Sequence, residues 1–311
     1  MAKALVTGGA GFIGSHICDR LVDEGWDLVV LDNFSSGSRQ NLAHLEGQIR
    51  IIDDDLLAIE NYLGELEGVE RIYHMAALIS GHDSLYDPES YIDANLKGLT
   101  RLIDAAHELG GPRILFASSS TVYGDRQDYD DSICAEVDQT DPFTVYALTK
   151  HAGEQALELY RRMHDLDFVC LRLFNVYGPR QNPDHPYANV TCKFAYSAAH
   201  GLPIRRYGDG FQSRDFVYVD DVVDAFMLVS QGADHSIYNV GTGHATSINT
   251  LIELVQAVGG SPLAVEQYEE WPNDIRSLRA DTARLTREFG YSPDTQLADG
   301  LRETVDYFRR I

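Results

Sequence analysis

The chain has 311 residues, 44% of them hydrophobic, and a formal net charge of −23 at pH 7. That length accommodates a large sheet core with a smaller appended lobe, and the composition is that of a folded protein rather than a disordered or fibrous one. So acidic a surface repels nucleic acid and anionic membranes, and no apolar run approaches the roughly 20 residues of a bilayer span, so neither is an expected partner.

The charge is lopsided, with 31 Asp and 17 Glu against 21 Arg and only 4 Lys. Two readings stand side by side: ordinary acidity for solubility in a chain drawn from a GC-rich genome, or adaptation to high salt, where ions screen self-repulsion. Cys18, Cys134, Cys170 and Cys192 are scattered, without CxxC or metal-ligand spacing. This reads as a reduced, cytoplasmic protein with no disulfide frame and no metal site. Met1 to Val6 leads straight into an apolar run, so no signal peptide is expected.

In chain order, the first predicted strand is Lys3–Thr7, followed by a helical pattern from Gly11 to Glu24. Strands are expected at 28–31, 49–52, 71–75, 113–117 and 168–172, with helices clearest at 89–109 and 144–163. Short apolar strands alternating with helices predict an α/β fold, a Rossmann-type doubly wound parallel sheet. From about residue 176 Pro, Gly and Asn clusters loosen the pattern, and helices return near 189–200, 246–258 and 281–289. The expected organisation is a dinucleotide-binding domain over 1–175, with segments near 214–242 returning to it, and a substrate-binding lobe over most of 176–311.

Gly8, Gly11 and Gly14 stand three apart between the first strand and the first helix, with Phe12 and Ile13 between the last two. Such a loop lets backbone approach a pyrophosphate and aims a helix N-terminus at it. The second strand ends at Asp32-Asn33, where a carboxylate meets ribose hydroxyls and disfavours a 2′-phosphate; NAD is therefore expected rather than NADP. Asp54-Asp55-Leu56 after the third strand places Asp55 and Leu56 toward the adenine, with a solvated acidic turn as the other reading, nearly as good for Asp54 and less so for Asp55. Met75, Ala76 and Ala77 end the fourth strand with small residues that permit close passage of a cofactor. Asn95, a poor helix former inside a helix, is expected to be buried and to brace the sheet ends.

Tyr146 and Lys150 lie four apart on one helix, hence on one face. A tyrosine of pKa about 10 is a poor base at neutral pH; an adjacent ammonium and a positive nicotinamide favour its phenolate. Ser119, within Phe116–Gly124, closes the fifth strand at the end of a parallel sheet where ligands bind. The pattern points to proton abstraction from an alcohol as its hydride leaves.

The segments TGGAGFIG, LDNFSSG, HMAA, ASSSTVYGD, YALTK, LRLFNVYGPRQ and GDGFQSRDFVYVDDV, in order over residues 4–300, resemble the extended short-chain dehydrogenase/reductase family. Within it they are most similar to the UDP-glucose 4-epimerase branch and its nucleotide-sugar relatives. The resemblance implies Ser119 as the hydrogen-bond partner of the sugar O4, with Tyr146 as base and Lys150 as its modulator. Dehydratase and decarboxylase branches carry acidic residues directly after the catalytic hydroxyl; Ser120 and Thr121 stand there instead, and both are expected at the substrate. Glucuronate epimerases carry a Thr and an Arg where this chain has Asn175 and Asn182, which implies a neutral sugar. Asn175, Asn189, Val190, Arg214 and Asp274 are assigned by resemblance to the UDP-sugar, and Leu278 to the position that gates N-acetylated sugars. Trp271-Pro272-Asn273-Asp274 replaces the usual Arg-Pro-Gly-Asp, so one diphosphate-binding arginine is missing, with Arg276 or Arg279 as compensating candidates. The implied activity is 4-epimerisation of a UDP-hexose by transient oxidation at C4, with N-acetylhexosamine and glucuronate as alternative sugars. A sister oxidoreductase with net cofactor turnover and a non-catalytic NAD-binding regulator are the further alternatives. The implied assembly is a homodimer through the helices 89–109 and 144–163.

Overall fold

The computed structural model describes residues 1–125, 133–184, 188–270 and 275–311. The chain opens with β1 (Lys3–Thr7), α1 (Phe12–Asp23), β2 (Asp27–Leu31), β3 (Arg50–Ile52), α2 (Leu63–Leu66) and β4 (Val69–His74). Next come α3 (Pro88–Tyr91), α4 (Gly98–Glu108), β5 (Arg113–Ser119), β6 (Ile133–Cys134), α5 (Val145–His164), β7 (Phe168–Leu173) and β8 (Asn175–Tyr177). They are followed by α6 (Val190–His200), β9 (Ile204–Tyr207), β10 (Ser213–Tyr218), α7 (Val219–Ser230), β11 (Ile237–Val240) and β12 (Ala245–Ser247). Last are α8 (Ile248–Gly259), β13 (Val265–Tyr268), β14 (Ser277–Ala280), α9 (Ala283–Phe289) and α10 (Leu297–Phe308).

Two compact units emerge, the first made of Met1–Val122, Thr140–Arg172 and Phe226–Tyr238, the second of Tyr123–Gln139, Leu173–Ala225 and Asn239–Ile311. A later segment, Phe226–Tyr238, thus joins the first unit, and an earlier one, Tyr123–Gln139, joins the second. Residues 123–139 go with the second unit because β6 pairs with β14, Ile133 beside Arg279 and Cys134 beside Ala280. A strand two residues long has no periodicity to read.

In the first unit the sheet order is β3-β2-β1-β4-β5-β7-β11, and β3, β2, β1, β4 and β5 pair in parallel. The strands are near-continuous apolar runs because helices cover both faces. Leu5, Ile72 and Ile114 pack with Leu99, Leu102 and Ile103 of α4 and Leu157 of α5. The order reverses between β1 and β4, and such a reversal leaves a crevice at the carboxyl ends of the strands. α5 begins at Thr144, whose hydroxyl accepts the Ala147 N–H, and ends at Asp165 in the left-handed conformation. The helix expected over 89–109 is broken: α3 passes into a π-helical segment, Ile92–Lys97, before α4. A π segment inserts a residue into the helical ladder, and Asn95 lies within it.

In the second unit β10 is central, in a sheet of order β12-β10-β14-β6 with β8 added to β10, and β9 pairs separately with β13. α6 and α10 join through Cys192, Ala195, Val305 and Phe308, with Val258 of α8 against them. Asp215, fully buried, binds the sheet to the 241–243 turn. Its carboxylate accepts the N–H groups of Thr242 (2.8 Å), Gly243 (2.9 Å) and Ala280 (3.0 Å) and the Thr242 hydroxyl (2.6 Å). All four cysteines are buried and none forms a disulfide. Among the described residues no helix is long and apolar enough to cross a membrane.

Candidate active site

The crevice at the β1/β4 reversal is floored by the glycine loop. Gly8 is left-handed, with φ of +70°, and a Cβ there would lie 2.6 Å from the Ala76 nitrogen, so β1 and β4 close on each other only around glycine. A Cβ at Gly14 would collide with the Gly8 carbonyl oxygen, which seats the start of α1 on the loop. Gly11 caps α1 without any side-chain hydrogen bond, and the first turn holds no acidic residue. The N-terminal N–H groups around Phe12, Ile13 and Gly14 are therefore suited to an anion.

Asp32 is buried at the end of β2. One carboxylate oxygen accepts the Ala10 N–H and the other the Phe34 N–H, each at 2.8 Å. Burial raises its pKa against these bonds. Each oxygen keeps a lone pair, as a ribose diol requires. Arg39 is paired to Asp53 and lies over the Phe34 ring, 4.0 Å from its centroid, so it is engaged away from Asp32. Asn33 donates to Asp55 at 2.8 Å, and Asp55 also accepts the Leu57 N–H at 2.9 Å. Leu56 turns into the core instead. Tyr62 donates to Asp54 at 2.6 Å and holds that carboxyl below the usual range. Met75, Ala76 and Ala77 are partly exposed, and Met75 donates to the Thr7 carbonyl at 3.0 Å. These residues fit an NAD: a charge-free glycine loop for the pyrophosphate and a buried carboxylate for the ribose.

Asn95 is buried and accepts the Leu78 N–H at 2.8 Å while donating to the Leu78 carbonyl and, at 3.1 Å, to Thr149. It pins the segment after β4 to α5, the helix that carries Tyr146 and Lys150. Lys150 is buried and donates to the Ala117 carbonyl at 2.7 Å. Burial lowers its pKa from 10.5 to about 8. Ser119 accepts from both the Thr121 N–H (3.2 Å) and the Thr121 hydroxyl (2.9 Å), leaving its own proton to donate. That proton goes toward Tyr146, which the Ser119 bond favours as phenolate. Burial nevertheless dominates and raises the Tyr146 pKa. In the chain alone desolvation outweighs the Ser119 bond, and the expected lowering of the phenol calls on the positive nicotinamide as well as on Lys150. Ser120 is buried beside Ser119.

Beneath this group Glu154 accepts from Ser118 at 2.6 Å and takes a bidentate Arg172, Nε at 2.9 Å and a terminal nitrogen at 2.7 Å. His74 is buried, 2.7 Å from the Thr7 hydroxyl through Nδ1. Sequence reasoning passed over Glu154, Arg172, His74 and Asp215; the available signal was a charged or polar residue inside an apolar run, as in Val169-Cys170-Leu171-Arg172-Leu173.

The remaining expected residues lie in the second unit. Asn175 opens β8, opposite Phe216. Asn189 caps α6, accepting the Thr191 N–H at 3.2 Å and donating to the Val176 carbonyl at 3.0 Å, and Val190 is the first residue of that helix. Arg214 on β10 is in register with Leu278 on β14, which is buried. Arg276 is held bidentate by Asp209 at 2.9 and 3.1 Å, which occupies one of the two candidate compensating arginines. Trp271 and Asp274 fall outside the described residues.

A family model described as "NAD dependent epimerase/dehydratase family" matches residues 4–241. The chain belongs to the NAD-dependent epimerase/dehydratase family. Among curated relatives, UDP-glucose 4-epimerase of Mycolicibacterium smegmatis is 38% identical over 316 residues, covering 99% of this chain and 98% of that protein. Among solved structures, UDP-N-acetylglucosamine 4-epimerase of Methanobrevibacter ruminantium M1, in complex with UDP-N-acetylmuramic acid, is 35% identical with a TM-score of 0.92. It covers 99% of this chain and 98% of that one. UDP-glucose 4-epimerase of Thermus thermophilus, in complex with NAD, is 33% identical with a TM-score of 0.91, covering 99% of both chains. Within this family member, the two residues that follow Ser119, Ser120 and Thr121, are neutral.

Proposed function

We propose that this protein is an NAD-dependent 4-epimerase of a UDP-linked hexose of the glucose/galactose type. The observation that carries the proposal is the assembly of Ser119, Tyr146 and Lys150 at the carboxyl end of β5 with only neutral hydroxyls, Ser120 and Thr121, after Ser119. No acid or base stands there to move protons at C5 or C6, so chemistry stops at reversible oxidation. Asn175 and Asn182 are uncharged and supply no cation for a sugar carboxylate. A second reading, an N-acetylated hexose, is supported by the likeness to the Methanobrevibacter enzyme and by Leu278, intermediate in size at its position.

The Gly8–Gly14 loop and Asp32 would hold an NAD, which when bound would supply the hydride acceptor and then the hydride donor for C4. Tyr146 takes the O4 proton during oxidation and returns it after the sugar has turned its other face. Ser119, with its oxygen saturated by Thr121, donates toward the reacting oxygen. Lys150 lends positive charge to the phenolate, and Arg214 with Asn175 and Asn189 holds the nucleotide-diphosphate end. Four buried cysteines, none of them in a disulfide, support a cytoplasmic enzyme.

Incubation with UDP-glucose, UDP-galactose, their N-acetyl forms and UDP-glucuronate, with products resolved by NMR, should show interconversion at C4 without stoichiometric NADH. Tyr146→Phe should keep NAD and lose about 10²-fold or more in turnover; unchanged epimerisation, or NADH released one for one, would sink the scheme. The protein is further proposed to be a homodimer through α4 and α5, supported by exposed Leu148, Leu159 and Met163 on α5. A monomer in sedimentation equilibrium at micromolar concentration would contradict it.

A further inference from the structure

The ammonium of Lys150 lies 4.9 Å from the centroid of the Phe116 ring while it donates to the carbonyl of the next residue, Ala117. The ring has almost no freedom to move away. It is 1% exposed, and a Cβ at Gly153 would lie 3.0 Å from its Cζ and 2.9 Å from Leu99 Cδ2. Gly153 is three residues after Lys150 and so lies on the same face of α5. The helix thus presses its bare backbone on the ring edge while its lysine reaches over the ring. His74 stacks on the same ring, centroids 5.6 Å apart and planes 17° apart. Burial, with Lys150 adding to it, lowers the His74 pKa to about 3, so this second ring stays neutral and does not compete as a cation.

We propose that Phe116 is a positioning residue for the reaction, its ring face and the Ala117 carbonyl together fixing the Lys150 ammonium relative to Tyr146. The proposal rests on the reading of Lys150 as the partner of Tyr146. A desolvated ammonium over an aromatic face is held by the ring quadrupole, which a saturated side chain of similar volume does not provide. The other titratable groups around Lys150 are few. Tyr146 and Glu154 share its helix; Cys170 and Arg172 come from β7, and His74 from β4. Arg172 is neutralised by Glu154, and burial holds Cys170 as the thiol. Tyr91, on α3, is the further group that faces Tyr146.

The chain has only four lysines, Lys3, Lys97, Lys150 and Lys193, and Lys150 alone of them is buried. Protein labelled with ¹³Cε-lysine therefore has four signals, and Lys150→Met assigns the one of interest. Position 116 is to be filled with 4-fluoro-, 3,5-difluoro- and pentafluoro-phenylalanine in the full-length, NAD-loaded protein. These rings keep shape and packing but progressively lose the negative face. The Lys150 titration midpoint should fall stepwise, by roughly half to one pH unit at full fluorination. The rising limb of the kcat–pH profile should move to higher pH, because less ammonium leaves the phenolate less favoured, while KM for the UDP-sugar stays constant. Phe116→Leu should move the midpoint in the same direction even where it also lowers thermal stability. A midpoint unmoved across the fluorinated series overturns the proposal and leaves Phe116 as packing. A midpoint that falls in a protein that interconverts no C4 epimers supports the ring's role and overturns the proposed activity, so the two failures are separable.

Discussion

Lys150 shows how a single site residue trades stability for chemistry. Its amine is buried, and its pKa falls from 10.5 to about 8. The unfolded chain therefore binds the proton more tightly than the folded one. Keeping the amine charged at pH 7 costs about 3 kcal/mol, and that cost is relieved as pH rises from about 8 toward 10.5. Lys150→Met should abolish turnover yet leave the protein about 1–2 kcal/mol more stable at pH 7, after the loss of the Ala117 bond is set against the gain. Urea unfolding at pH 7 and pH 10 checks this: the advantage should shrink at the higher pH, and a variant that is less stable at pH 7 would show the shift to be misread.

The elements that carry the site are tied together by polar groups sealed inside apolar surroundings. Glu154 on α5 joins Ser118 at the end of β5 and Arg172 on β7, all three buried. Such a pair adds little over an apolar replacement, but breaking it leaves an uncompensated buried charge. Arg172→Met should thus cost about 3–5 kcal/mol in urea unfolding, and Glu154→Leu added to it should recover much of the loss. A single variant within about 1 kcal/mol of the parent would mean that the bridge does not hold α5 to the sheet. The strands β1, β2, β4, β5 and β7 were legible because a sheet covered on both faces is written as apolar runs. The break at Ile92–Lys97 was not, since the side-chain spacing over 89–109 is that of one helix and the π turn depends on Asn95 finding Leu78 and Thr149. α7, α10 and the short strands of the second unit were missed as well. β6 and β8 have two and three residues, too few for a period to show.

At the scale of the whole molecule the dominant quantity is charge, −23 from 48 acidic and 25 basic residues. Many ion pairs among the described residues are exposed, as in Arg50–Glu65 and Arg302–Asp299, and contribute little each. The excess of carboxylates therefore repels itself at low salt. Screening shortens its reach from about 10 Å at 0.1 M to about 3 Å at 1 M salt. Melting temperature followed from 0.05 to ~1 M NaCl should rise by a few degrees. A melting temperature highest at low salt would rule out adaptation to a saline environment and leave ordinary acidity as the reading.

The order of the strands' apolar runs, the glycine loop followed by Asp32, and Ser119, Tyr146 and Lys150 are all local in sequence, each readable from spacing on one strand or helix. The resemblance to the nucleotide-sugar epimerase family rests on the same local segments. Tertiary structure alone decided how those groups are electrically set. Desolvation depends on what packs around a residue from distant parts of the chain, and it raises the Tyr146 pKa and lowers that of Lys150. It likewise decided that Leu56 faces the core, that Arg276 is held by Asp209 67 residues away, and that the ring of Phe116 meets both His74 and Lys150. Each of these is a contact between segments whose proximity no local pattern encodes.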